Sequence, residues 1–144
     1  MKLTLQGLQE KEQWKNAGIG LPSYDIEKVA EETKKNPVWV HFGAGNIFRA
    51  FPAAVCQKLL NKGIMDRGII VAEGYDYEII DKSFKDFDNL TISVTLNTDG
   101  TVSKEVIASV AEALTFDFDN ETDTERLKEI FSSKSLEMAS FTIT

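Results

Sequence analysis

The chain has 144 residues, of which 42% are hydrophobic and 27% charged, the proportions of an ordinary globular domain and not of a disordered or fibrous chain. Lys and Arg total 16 against 23 Asp and Glu, a formal charge of −7, the wrong sign for broad attraction to nucleic acid or to anionic lipid. Cys56 is the single cysteine, which excludes an internal disulfide and a multi-cysteine metal site.

The opening residues carry no apolar run of a secretory signal, and no stretch approaches the ~20 apolar residues that cross a bilayer, so a soluble cytoplasmic protein is the expectation. Residues 1–37 read as an N-terminal arm followed by a short helix. Within them, Leu8 to Tyr24 is mixed, with Trp14 and Leu21-Pro22, and residues 25–35 suit an amphipathic helix capped by Asp25 and ended by Asn36-Pro37.

From Val38 to Phe42 the sequence is almost continuously apolar, as in a parallel strand buried on both faces. Ile47 to Asn61 then predicts one helix, with Ile47, Phe48, Phe51, Ala54, Val55, Leu59 and Leu60 mainly three or four apart, Pro52 near its first turn and Gly63 just past its end. A second buried strand, Ile69 to Ala72, and a shorter helix, Asp76 to Phe87 with Ile79, Ile80 and Phe84 inward, complete a β-α-β-α series.

Leu90 to Leu96 alternates, Asn97 to Gly100 supplies turn chemistry, and Thr101 to Ala108 returns, which together predict a β-hairpin. Thr122-Asp123-Thr124-Glu125 reads as a capping box opening a helix through Phe131. Met138 to Thr144 reads as a further strand, and a chain ending on a strand is expected to be part of a longer protein. The fold class expected is α/β: a Rossmann-like βαβ nucleotide-binding domain, mainly parallel, with a β-hairpin insertion, its first part occupying residues 38–144.

The first strand runs through Gly43-Ala44-Gly45-Asn46 into a helix, the strand, Gly-x-Gly, helix arrangement of a dinucleotide-binding unit. Gly43 allows the tight turn, Gly45 keeps a Cβ away from a pyrophosphate, and free amides with the helix dipole favour the anion. Phe48 stands where the third glycine of the fingerprint usually is.

Glu73 closes the second strand, placed to accept from ribose hydroxyls and to repel a 2′-phosphate, which favours NAD over NADP. Asp76 could serve the same way or cap the second helix. Arg49 in the first turn of the helix is a cation where the dipole disfavours one, which points to an anionic ligand or a carboxylate partner. His41 is the lone histidine, read as a core or ligand-lining residue, Cys56 as a packing residue, and Asp117 to Glu121 as a solvated loop; no metal site is expected.

The run Val38 to Phe51 (VWVHFGAGNIFRAF) resembles the N-terminal signature of the polyol-specific long-chain dehydrogenases, the mannitol dehydrogenase family. Trp14 to Ile19 with Leu21 to Asp25 looks like the family's lead-in, Val106 to Val110 with Glu112 to Leu114 like its post-hairpin segment, and Ser140 to Thr144 like the start of a further strand. The form HFGAGNIFRAF is closest to the hexuronate branch.

The resemblance implies NAD-linked hydride transfer between a secondary alcohol and a ketone, D-mannonate and D-fructuronate first, with tagaturonate or mannitol chemistry as the alternatives. It implies no metal. It places a lysine acid–base group, with asparagine and histidine, beyond Thr144, so no catalytic residue carries over. The positions it marks here are cofactor contacts: Gly43, Ala44, Gly45, Asn46, Ile47, Phe48 and Arg49, with Glu73 and Asp76 by location. A non-catalytic nucleotide-responsive or interaction module is the reading from another class, a flavin or other adenine-ligand domain a third, and self-association through an open sheet edge is a further expectation.

Overall fold

The computed structural model describes residues 1–143; Thr144, the last residue of the expected Met138 to Thr144 strand, lies outside the described residues. Four strands form a parallel sheet: β2 (Trp39–Phe42), β3 (Ile69–Glu73), β6 (Val110–Thr115) and β7 (Met138–Phe141), in the order β6-β3-β2-β7. A second, three-stranded sheet has the order β1-β5-β4, with β1 (Ile19–Gly20) parallel to β5 (Val102–Ile107) and β5 antiparallel to β4 (Thr91–Leu96). The helices are α1 (Lys11–Asn16), α2 (Ile26–Lys35), α3 (Asn46–Ala50), α4 (Pro52–Asn61), α5 (Glu78–Ser83) and α6 (Glu121–Ser132).

The apolar runs explain the layering. In β3, Ile69 and Val71 enter one core with Phe48, Cys56 and Leu60 from α3 and α4, while Ile70 and Ala72 enter a second with Leu127 and Ile130 of α6. A strand covered on both faces has no polar face to alternate with, which is why its sequence is uniformly apolar. Leu8 and Trp14 of the arm make a third cluster with Leu90 and Val106, and the Trp14 indole donates to the Gly7 carbonyl at 2.8 Å.

The expected hairpin is β4–β5, closed by Asn97 to Gly100 with Gly100 at φ +83° and its amide donating to the Asn97 carbonyl. Asp25 caps α2 through the Lys28 amide at 3.0 Å. Gly63, at φ +66°, ends α4: its amide donates to the Leu60 carbonyl and that of Ile64 to Leu59, the paired bonds of a Schellman motif.

Three local expectations are corrected and one strand is added. The helix read as continuous from Ile47 to Asn61 is two, α3 and α4, broken at Phe51 (φ −121°, ψ −71°). Pro52 has no amide to continue the ladder and disfavours helical geometry in the residue before it, so it starts α4 and does not sit inside the first turn of one helix. The break leaves Ile47, Phe51 and Val55 exposed.

The second helix spans Glu78–Ser83, starting after Asp76 and followed by a separate 3-10 turn at Lys85–Phe87. The helix cap expected at Thr122 is instead Asn120, whose side chain accepts from the Asp123 amide, and the Asp123 carboxylate accepts from the Thr115 amide and hydroxyl. The segment Val110 to Thr115 is a strand, β6, that leaves the hairpin after only Ala108-Ser109 and joins the parallel sheet beside β3.

That passage between sheets is held by Gln57 of α4, which is 1% exposed. Its Oε1 accepts from the Ala108 amide at 2.7 Å and the Tyr24 hydroxyl at 3.0 Å, and its Nε2 donates to the Val106 carbonyl. Gln57→Leu strands a buried amide and a buried carbonyl, and we expect it to lower stability by about 2–4 kcal/mol, read as a shifted urea midpoint; an unchanged midpoint would show the two groups find other partners.

Candidate functional site

From β2 the chain runs to β3 and then β6 on one side, and α6 carries it back across to β7 on the other side of β2. The strand order therefore reverses at β2/β7. In open parallel sheets that reversal leaves a crevice outside the carboxyl ends of the strands, where ligands bind. The turn Gly43 to Asn46 lies at the carboxyl end of β2, at the mouth of that crevice.

Each residue of the turn has a distinct task. Gly43, at φ +110°, donates its amide to the Ala72 carbonyl at 2.8 Å, and a Cβ there would come within 2.4 Å of the Thr142 hydroxyl oxygen. Ala44 is fully buried and donates its amide to Glu73 Oε2 at 2.7 Å. Gly45 has φ −71° and nothing within 4 Å of where its Cβ would stand, so it faces open space. Among the described residues, the amides of Gly45 and Asn46 have no hydrogen-bond partner in the protein.

Phe48 is fully buried and stacks on His41 with ring centroids 4.5 Å apart at 16°. The position usually given to a third glycine is thus filled by an aromatic ring resting on a second ring from the strand. Ile47 is exposed beside it.

Glu73 stands at the end of β3 with its carboxylate already engaged. Besides Ala44, it accepts from the Tyr75 amide at 3.0 Å and the Asp76 amide at 3.4 Å. It ties the turn after β3 to the turn after β2, and a carboxylate's roughly four acceptor sites leave room for one more donor. Asp76 is exposed and does not cap α5, whose N-cap residue is Tyr77 without a side-chain bond.

Arg49 donates from Nη2 to Asn46 Oδ1 at 2.6 Å and lies 5.9 Å from the Phe84 ring centroid. Phe42, Phe116 and Phe141, at or just past the carboxyl ends of β2, β6 and β7, join Phe118, Leu127 and Phe131 around an apolar hollow of about 430 Å³. No spacing in the sequence signals that hollow, because its rings come from separate strands and a helix.

His41 is 2% exposed, with Nδ1 2.7 Å from the Ser140 hydroxyl and Nε2 3.2 Å from that of Thr142. The Trp39 indole, which can only donate, bonds the same Ser140 oxygen at 2.7 Å. The Ser140 hydroxyl in turn donates a hydrogen bond to Nδ1, which fits a neutral ring whose Nε2–H faces Thr142. The histidine is a core residue pinning β2 to β7.

Burial holds the His41 pKa below its ordinary 6.5. The unfolded chain therefore takes up this proton at higher pH than the folded one, and stability falls as the pH is lowered through 6.5 toward the folded-state value. His41→Phe keeps the stack on Phe48 and removes the titration, so its stability should decline less over the same acid range in urea unfolding. Parallel declines in the two proteins would refute the assignment.

Cys56 is buried, its thiol pushed up to about 12 by desolvation, and among the described residues no group of His, Cys, Asp or Glu is arranged to hold a metal ion. No helix of the described residues is long and apolar enough to cross a membrane.

Over all 144 residues the chain is 49% identical to a D-mannonate oxidoreductase of Thermotoga maritima, of which it covers 26%. It superimposes on the Pseudomonas fluorescens mannitol 2-dehydrogenase, solved as a ternary complex with NAD and D-mannitol, with a TM-score of 0.77 and 22% identity over 99% of this chain and 27% of that one. A D-sorbitol dehydrogenase in substrate-free form matches with a TM-score of 0.70 and 25% identity over 88% of this chain and 25% of that one. No family model matches the sequence. The chain spans about a quarter of the length of each of these proteins. The likeness carried by Val38 to Phe51 thus extends along the whole chain, which shares the Rossmann-type α/β fold of these dehydrogenases.

Proposed function

We propose that this chain is the coenzyme-binding part of an NAD-dependent oxidoreductase that interconverts a secondary alcohol and a ketone on a sugar acid, D-mannonate and D-fructuronate. The observation that carries the reading is the turn at the strand-order reversal, with unpaired amides at Gly45 and Asn46, open space at Gly45 and Glu73 held 2.7 Å from the Ala44 amide. Such a turn fits a pyrophosphate, since backbone N–H groups aimed at open space favour an anion. The full-chain similarity to a D-mannonate oxidoreductase supports the substrate class.

In this reading Gly43 shapes the turn, and Gly45, Asn46 and Ile47 present amides. Phe48 seats the helix on β2, and Glu73, with Asp76 beside it, faces the adenosine ribose. The coenzyme, when bound, accepts or donates the hydride. Residues 38–144 form the first part of the nucleotide-binding domain and residues 1–37 an arm that braces it; the acid–base residues belong to a part of the polypeptide outside these 144 residues.

Calorimetric titration with NADH, NADPH and FAD tests the reading. We expect NADH to bind more tightly than NADPH, since Glu73 repels a 2′-phosphate, FAD to bind most weakly, and the chain alone to turn over no mannonate. FAD binding ahead of NADH, or turnover by this chain, would overturn it. Among the described residues β7 is paired on its β2 side alone, an open edge suited to self-association. Light scattering behind size exclusion should show a species larger than a monomer at high concentration, and a monomer throughout would count against it.

A further inference from the structure

The sequence contains three arginines. Arg67 pairs with Asp66, and Arg126 with Glu112 and Glu129. Among the described residues Arg49 has no carboxylate partner. One of its nitrogens donates to Asn46 Oδ1 at 2.6 Å, while Nε is buried with no hydrogen-bond partner.

A guanidinium has five N–H donors and no acceptor, so one carboxamide oxygen leaves most of its capacity unused. The Phe84 ring steadies the plane and accepts no ordinary hydrogen bond from it. Buried donors without acceptors are rare in folded proteins and call for a partner. In a chain with 23 acidic residues and a charge of −7, a sheltered cation left without one is the exception.

Arg49 also borders a cavity of about 280 Å³ between α3 and the hairpin strand β4. Asn46 and Ala50 line it on one side, and Thr91 to Val94 of β4 on the other. The two hydroxyl residues, Thr91 and Ser93, are half-buried and alternate along β4 with the exposed Ile92 and Val94. No hydrogen bond within the described residues uses either hydroxyl. A forked cation, an amide that orients it and two uncommitted hydroxyls around a small hollow match a planar or tetrahedral oxyanion.

We propose that Arg49, oriented by Asn46, forms with Thr91 and Ser93 a subsite for an oxyanion, the carboxylate or phosphate group of a bound small molecule. The subsite shares Asn46 and Arg49 with the coenzyme reading but stands without it, because its other wall is the hairpin, outside the βαβ unit. The hairpin then acts in ligand recognition as well as in covering the core. The cavity is the size of a ligand's charged end, smaller than sites that enclose whole cofactors.

Titration of the full chain with inorganic phosphate, with D-gluconate and with neutral D-mannitol, followed at the Arg49 Nε–Hε resonance by ¹⁵N NMR, tests this. We expect a saturable shift with phosphate or gluconate and none with mannitol. A response to phosphate alone identifies a phosphate subsite, to gluconate alone a carboxylate subsite, and to both a general oxyanion site. Arg49→Gln, followed at the Ser93 amide, should weaken binding by about tenfold or more.

Should Arg49→Gln fail to fold, the double variant Thr91→Val with Ser93→Ala carries the test, with an expected loss of about three- to tenfold. No saturable shift with either anion, or undiminished affinity in the double variant, overturns the proposal. NADH binding without any anion response removes this subsite and leaves the coenzyme reading intact; an anion response without NADH binding does the reverse.

Discussion

Gly43→Ala is expected to destabilise the chain by about 3 kcal/mol or more, the largest effect of any single change at the turn. Two causes act together. The backbone sits at φ +110°, where a side chain is strained whatever the space, and the added Cβ would lie 2.4 Å from Thr142 Oγ1 and 3.1 Å from the Thr142 carbonyl. Relief requires the Thr142 side chain to turn and its backbone, held by the bond from its amide to the Phe42 carbonyl at 3.0 Å, to give way.

Gly45→Ala makes the contrasting case. At φ −71° with nothing within 4 Å, it should cost less than about 1 kcal/mol while placing a methyl group where the backbone is proposed to meet pyrophosphate. Urea unfolding should therefore separate the two variants strongly. NADH titration should show Gly45→Ala folded and impaired in binding by about tenfold or more. Equal stabilities, or undiminished NADH affinity in Gly45→Ala, would contradict the assignment of separate tasks to the two glycines.

Glu73→Ala carries the second large effect, and it combines stability with binding. Removing the carboxylate strips acceptors from the amides of Ala44, Tyr75 and Asp76. Hydrogen bonds to a charged group are each worth about 1.5–3 kcal/mol, but water can replace part of the loss at the exposed Tyr75 and Asp76. A net loss of about 2–3 kcal/mol is expected.

NADH affinity should fall by about tenfold or more, because the proposed ribose acceptor is removed and the Ala44 turn loses its brace. Glu73→Gln separates these contributions. The carboxamide retains one acceptor for Ala44 and should recover much of the stability, while discrimination against NADPH weakens since no charge remains to repel the 2′-phosphate. A Glu73→Gln protein that still rejects NADPH as strongly as the parent would show that selectivity resides elsewhere.

The two glycines look alike in the string Gly43-Ala44-Gly45. Their different roles depend on Thr142, a residue about a hundred positions away that pairing of β7 with β2 brings alongside. The same pairing supplies the two hydroxyls on His41. A lone histidine in an apolar run can be read as buried, but its partners, Ser140 and Thr142, have no local signature because register between parallel strands is set by the sheet.

The reading of β2 and β3 as strands covered on both faces follows from side-chain composition alone, since no polar face was available. The hairpin follows from alternation broken by Asn97 to Gly100, and the end of α4 from a glycine at the one position that needs positive φ. Each is a property of a few adjacent residues, and local physics is enough to decide it.

Where local signals compete, the pattern of apolar residues does not decide between them. Thr122 reads as the cap, yet the helix starts one residue before it at Glu121 with Asn120 as its cap, while the Asp123 carboxylate is tied across to Thr115 at the end of β6. Periodicity from Ile47 to Asn61 favoured one helix, while the missing amide of Pro52 broke it. Strand β6 went unread because it follows β5 after two residues, and nothing local marks a chain leaving one sheet for another.

The amino-acid sequence by itself determined the alternation of buried strands and helices, the tight turn after Phe42 and the likeness to the mannitol dehydrogenase family, all of which reside in short runs of neighbouring residues. The three-dimensional fold alone decided that strand order reverses at β2/β7, that Glu73 holds the Ala44 amide, and that Arg49 shares a cavity with Thr91 and Ser93 and has no carboxylate partner among the described residues. Those are contacts between residues far apart in the chain, and chain distance carries no information about them until the sheet is assembled.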